Sequence, residues 1–152
     1  MQGKLLMTLR FLSVTNGNSI DLMLLFDTHA WWWVINEPER LSRDACELVS
    51  GTPINQRAIA SISIWEFVMM ITRRRIFLKI SPEEWLDHAI YKTGITVLDL
   101  TPRIALDSCN LPGEFHKDPA DRIIVATARI HKAKLITKDQ KIIDYPDVET
   151  VW

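Results

Sequence analysis

From Met23 to the C-terminus, short unbroken apolar runs alternate with longer stretches whose apolar residues recur every three or four positions. MLLF (23–26) has the length and continuity of a strand covered on both faces. A helix is predicted through the tryptophans that follow, and another in LSRDACELVSG, with Ser42 at its start and Gly51 past its end. RAIAS (57–61) reads as the next strand. SIWEFVMMITRRR then reads as a helix in which Ser63 and Glu66 have capping-box spacing. SPEEWLDHAIYKTG carries a complete set of helix signals: Ser81 at the N-cap, Pro82 first, Glu84 third and Gly94 beyond the end. ITVLDL (95–100) is strand-like, Thr101-Pro102 opens a short helix, and LPGEFHKDP (111–119) reads as a loop. DPADRIIVATARIHK predicts a helix capped by Asp118, followed by strand KLIT (134–137), a helical turn in TKDQKIID, and a closing strand in VETVW. Strands alternating with helices predict an α/β protein with a mainly parallel sheet covered by helices on both sides.

Residues 1–22 stand outside this rhythm. Arg10 interrupts their apolar part and no small-residue cleavage site follows, so they do not read as a signal peptide. They are expected to form a weakly ordered extension to a domain spanning 23–152, and Met23 is a second candidate start. No apolar run approaches the ~20 residues needed to cross a bilayer. A chain of 152 residues with 47% hydrophobic and 24% charged positions is long enough to bury one substantial core. A net charge of −1 supplies no global field for nucleic acid, so such a partner needs a local basic patch. Cys46 and Cys109 are too few for a disulfide framework and are expected to be buried free thiols of a cytoplasmic protein.

In parallel sheets ligands bind beyond the carboxyl ends of the strands. Four acids fall at such places: Asp27 after the first strand, Glu66 in the first turn after the second, Asp121 in the first turn entered from HKDPADR, and Asp139 after KLIT. Each also has a structural explanation. Glu66 is the capping-box partner of Ser63, Asp118 caps a helix whose dipole Asp121 complements, and Asp139 fits a polar turn. Asp27 is harder to explain this way, because a charge against a buried strand end needs a partner. Four carboxylates converging on one edge repel one another, and a divalent cation relieves the conflict. With oxygen donors and no Cys/His cluster, Mg²⁺ or Mn²⁺ is favoured over zinc. Such a centre suits phosphodiester hydrolysis.

LLFDTHAWWW, SISIWEF, HKDPADRIIVATA and KLITKD occur in the order and approximate spacing of a PIN domain, and the chain resembles the VapC-type toxins of toxin–antitoxin pairs over residues 23 to 152. The resemblance implies a three-layer α/β/α sandwich and an Mg²⁺- or Mn²⁺-dependent ribonuclease. By position it assigns the acidic quartet to Asp27, Glu66, Asp121 and Asp139, with Asp118 as an additional acid at the mouth. It also places Thr28 and Thr137 where hydroxyls support the ligands or the attacking water, and it implies an antitoxin partner and a homodimer.

RNA needs cations. Arg73, Arg74, Arg75 and Lys79 form one cluster, whose arginines fit an acidic partner segment equally well, and Lys117 and Arg122 flank Asp118 and Asp121 closely enough to touch a substrate phosphate. Arg129, Lys132, Lys134, Lys138 and Lys141 form a more diffuse set, of which Arg129, Lys132 and Lys134 read first as solvated surface. Three consecutive helical residues sweep too wide an arc for one core-facing stripe, so at least one of Trp31, Trp32 and Trp33 is expected near the surface. In the resembling family this helix lies near subunit contacts and the antitoxin groove, which makes the exposed ring an interface candidate. The four histidines receive no ligand role, although His29 is near enough to Asp27 to support it. Two alternatives stand beside the nuclease: a non-catalytic binding protein of the same fold, and an aspartate-based phosphotransfer domain using Asp27.

Overall fold

A computed structural model of the chain describes residues 22–152. Within them a five-stranded sheet has the order β3-β2-β1-β4-β5, every neighbouring pair parallel. The strands are β1 (Leu24–Phe26), β2 (Arg57–Ala60), β3 (Thr96–Leu98), β4 (Lys134–Ile136) and β5 (Thr150–Val151). Each is shorter than its apolar run, because pairing stops where a cap or turn takes over. The helices are α1 (Thr28–Asn36), α2 (Arg43–Gly51), α3 (Ser61–Thr72), α4 (Pro82–Leu86), α5 (Pro102–Cys109), α6 (Pro119–His131) and α7 (Gln140–Ile143). The extension expected over residues 1–22 lies outside the described residues except for Leu22, which packs on the core.

Successive strand residues face opposite sides of the sheet, and here both sides are buried. Leu24 and Phe26 of β1, Ile59 of β2 and Ile136 of β4 join α1, α2 and α3 in one core. Leu25, Ala58, Ala60 and Leu135 join α5, α6 and α7 in the other. This is the three-layer α/β/α sandwich that the alternation of elements implied.

In the first core Trp31, Phe67 and Trp85 meet as one aromatic cluster. Phe67 stacks on Trp85 at 4.1 Å between ring centroids, and Trp31 stands edge-on to both, at 5.6 Å from Phe67 and 5.1 Å from Trp85. The helix expected over 81–93 begins as read, with Ser81 accepting from the Glu84 amide at 3.1 Å. From Asp87 to Lys92 it widens into a π-helical segment. That wider turn lets Ala89 and Ile90 both reach the core alongside Trp85.

Two local expectations are corrected. The helix carrying Glu66 starts at Ser61 with Ala60 as its uncapped first boundary, so Ser63 lies inside the helix and its hydroxyl is buried without a hydrogen-bond partner among the described residues. No capping box forms, because the backbone turns helical two residues earlier than that spacing requires. Cys46 and Cys109 are free but exposed, each on the outer face of a surface helix whose opposite face packs inward.

Candidate functional site

The order of strands creates the site. The chain lays β2 and β3 on one side of β1, then returns to put β4 and β5 on the other. At the β1–β4 junction the connections diverge and leave a crevice at the carboxyl ends. Phe26 pairs with Ile136, so the next residues, Asp27 and Thr137, leave the sheet side by side.

Asp27 answers the problem of a charge at a buried strand end. It is the N-cap of α1, and its Oδ1 accepts the Ala30 amide at 2.6 Å. The Thr137 hydroxyl also hydrogen-bonds this carboxylate. The same hydroxyl accepts the Asp139 amide at 3.0 Å, so one buried threonine ties the exits of two strands together. Asp139 in turn caps α7, accepting the Lys141 amide at 2.8 Å. The capping roles are real, and they fix the direction of each carboxylate without cancelling its charge.

Glu66 approaches from α3, where the Thr28 hydroxyl donates to its Oε2 at 2.5 Å. Asp121 approaches from the first turn of α6. Its neighbour Asp118 is the N-cap, accepting from the Ala120 and Asp121 amides at 3.0 and 3.2 Å. The two acids thus divide their work: Asp121 faces the crevice, while Asp118 holds the helix start at its rim. Asp27, Glu66, Asp121 and Asp139 all line one open cleft of about 440 Å³, together with Thr28.

The electrostatics record the crowding. Burial, then the charges of Asp118, Glu66, Asp139 and Asp27, push the Asp121 carboxyl up to about 7. Burial raises Asp27 as well, against the lowering effects of its Thr137 and Ala30 hydrogen bonds and of His29. Among the described residues no three His, Cys, Asp or Glu side chains stand close enough together, as they are, to hold a metal ion. An all-oxygen donor set with excess negative charge fits a hard divalent cation, which the four acids would hold between them.

Sequence reasoning missed part of the wall. Trp33, Ile124 and Lys138 line the cleft, and exposed His29 stands at its edge. Ile124 lies three residues after Asp121 on the same helical face, a spacing that could have found it. Trp33 is buried against Trp152 at 5.5 Å and under the Arg40 guanidinium at 4.6 Å. His116 had no sequence signal. Its Nε2 lies 3.3 Å from Asp121 Oδ2, off the line of a hydrogen bond, while Nδ1 accepts the Asp118 amide at 3.4 Å.

The cations divide unevenly. Arg122 points away from phosphate duty: Nε donates to the Ser108 carbonyl at 2.7 Å and Nη1 to the Phe115 and His116 carbonyls at 3.2 Å each. That corrects its expected role, since three backbone carbonyls hold the guanidinium inside the loop. Lys117 is exposed beside the rim. Of the tryptophans, Trp31 and Trp33 are buried and Trp32 is half-exposed, donating from Nε1 to Glu37 at 3.1 Å.

A parallel α/β/α sandwich with four acids around its switch-point crevice defines the class, and the PIN domain family model matches residues 24–148. The chain belongs to the PIN domain family. Within it, the chain is 34% identical over 131 residues to ribonuclease VapC22 of Mycobacterium tuberculosis, covering 85% of this chain and 98% of that protein. Among solved structures it is similar to a toxin–antitoxin complex from Klebsiella pneumoniae, with 26% identity, a TM-score of 0.60, and coverage of 85% of this chain and 96% of that one. VapBC2 from Rickettsia felis, bound to a promoter DNA fragment, shares the fold at 16% identity and a TM-score of 0.62, over 86% and 99% of the two chains.

Proposed function

We propose that the protein is a divalent-metal-dependent endoribonuclease and the toxin of a toxin–antitoxin pair, working in the cytoplasm. The observation that carries this reading is the meeting of Asp27, Glu66, Asp121 and Asp139 in one cleft, where burial first, and then the charges of Asp118 and the other three acids, raise Asp121 to about 7. The likeness to a ribonuclease and to a toxin–antitoxin complex supports the substrate and partner class.

The four acids would hold Mg²⁺ or Mn²⁺, with Asp118 adding negative charge at the rim. Bound there, the metal supplies a water of lowered pKa and neutralises charge building on phosphate oxygens. The protein supplies orientation. Thr28 fixes Glu66, and Thr137 fixes Asp27 while engaging the Asp139 backbone. Lys138, on the cleft wall, and exposed Lys117 would meet phosphate. Trp32, the half-exposed ring of α1, is assigned to a contact with the antitoxin or a second copy.

The test is RNA cleavage by the purified full chain with Mg²⁺, with Mn²⁺ and with chelator, beside Asp121→Asn. Metal-dependent cutting by the native protein, lost in the variant, sustains the proposal. Metal binding with intact RNA under every condition would instead make the chain a non-catalytic member of the family. Phosphate transfer from a small phosphodonor to Asp27 would restore the phosphotransfer alternative.

A further inference from the structure

Beside the acid cleft, and sharing His29 and Glu66 with it, lies a second depression of about 530 Å³ between α3 and the start of α6. Its floor is apolar, with Ile62, Met69 and Met70 from α3 and Pro119 and Ala120 opposite, and the Asp118 carboxylate joins Glu66 on the side toward the cleft. Trp65 stands on its edge with 58% of its surface exposed, although the indole is the largest side chain on that helix. Arg73 and Arg75 close the far end. Neither has an ion-pair or hydrogen-bond partner among the described residues, so both guanidiniums are available.

The backbone supports the placement of these arginines. Arg74 adopts φ 55°, a left-handed conformation that usually falls to glycine at a helix end. The Arg75 amide donates to the Met70 carbonyl at 2.8 Å, folding the chain back so that Arg73 and Arg75 border the same depression. Arg73 follows Glu66 by seven residues, about 10 Å along the helix. The trough therefore runs from a cationic end, past an exposed indole, to the carboxylates.

We propose that this trough binds the RNA strand next to the cleaved bond, with a base stacked on Trp65 and the adjoining phosphates on Arg73 and Arg75. The inference rests on the ribonuclease reading and names substrate-positioning residues outside the acid quartet. A polyanion with flat apolar bases matches this surface on both counts: the guanidiniums are unpaired among the described residues, and the apolar floor opens directly into the cleft where the bond would be cut. Stacking accepts every base, so the trough gives grip and direction without reading sequence.

The test uses the full-length protein and a fluorescein-labelled, single-stranded RNA of mixed sequence, with variants Trp65→Ala, Trp65→Phe and Arg73→Ala/Arg75→Ala. Binding is read by anisotropy in chelator across a salt series, and cleavage as KM and kcat with Mn²⁺. Loss of one stacked base weakens binding by about 5- to 150-fold, so Trp65→Ala should raise Kd and KM within that range while Trp65→Phe largely restores both. The double arginine variant should reduce the slope of log affinity against log salt by roughly 1.4, two phosphate contacts for a single strand, whereas Trp65→Ala leaves the slope alone.

Unchanged Kd, KM and salt slope in both variants would overturn the trough while leaving cleavage, and with it the nuclease reading, intact. Failure of the native protein to bind RNA at all overturns the trough too. If native protein binds RNA and the variants weaken it as stated, but nothing cuts with any metal, the trough stands and the nuclease reading falls. Light scattering supplies the last arm: a dimer that Trp65→Ala converts to monomers with unchanged RNA affinity assigns this face to a second copy and overturns the proposal.

Discussion

The Thr28 hydroxyl donates to Glu66 at 2.5 Å across 38 residues of chain, joining the first residue of α1 to the middle of α3. Thr28 is buried, and Glu66 is one of the acids around the cleft. A hydrogen bond to a carboxylate at that position sets the angle from which the side chain reaches inward. Thr28→Val keeps the shape and removes the donor. It should cost about 1–3 kcal/mol of stability by leaving the carboxylate short of a partner, and lower metal-dependent cleavage by roughly 10- to 100-fold. Thr28→Ser should recover most of the activity. Chemical denaturation and RNA-cleavage rates on the three proteins check both numbers.

Asp121 predicts a pH dependence with a definite sign. Its folded pKa of about 7 lies above its ordinary value, so the folded protein holds a proton that the unfolded chain releases. That contribution is complete at acid pH and is lost as pH rises through the window from about 4 to about 7. Metal-free protein should therefore lose thermal stability across that window more steeply than Asp121→Asn, and both curves should run parallel above it. Buried Asp27, raised in the same direction, adds to the native slope. Added Mn²⁺ at pH 8 should raise the native Tm and leave that of the variant nearly unchanged, which scanning calorimetry reads directly.

The three tryptophans of α1 should separate by role. Trp31 is buried in the Phe67–Trp85 cluster, and Trp31→Ala should destabilise the fold by about 3–5 kcal/mol. Trp32 is half-exposed and should cost less, while weakening association with a second copy or an antitoxin. Trp33 borders the cleft, so Trp33→Ala should reduce cleavage as well as stability. Denaturation midpoints, sedimentation and cleavage rates of the three variants distinguish these outcomes.

Arg122 should behave as a fastener. Its guanidinium bonds carbonyls at Ser108, Phe115 and His116, holding the loop that presents His116 to Asp121. Arg122→Ala should speed amide hydrogen exchange across 111–118 and destabilise by about 1–3 kcal/mol. Removing a phosphate contact would instead lower RNA affinity and leave exchange untouched.

The alternation of MLLF, RAIAS, ITVLDL and KLIT with helical stretches was enough to imply the layers, because a strand covered on both faces writes an unbroken apolar run. The acids were legible for a related reason: a charge directly after such a run, as at Asp27, stands against its surroundings. What the sequence could not show was orientation. Ser63 and Glu66 have capping-box spacing, yet the helix begins at Ser61 and Glu66 turns to Thr28, a partner visible only in three dimensions. Arg122 looked like a phosphate ligand beside Asp121 until the carbonyls of a folded-back loop claimed it. Trp33 and His116 reach the site through tertiary packing, which leaves no local pattern.

The most direct measurement is Mn²⁺ binding to the full chain by calorimetry at pH 8, for the native protein and for Asp27→Asn, Glu66→Gln, Asp121→Asn and Asp139→Asn. A shared centre predicts saturable binding by the native protein and at least a tenfold loss of affinity in every one of the four, with circular dichroism unchanged. Binding that survives in all four variants, or no binding by the native chain, would show that these carboxylates do not act as one site.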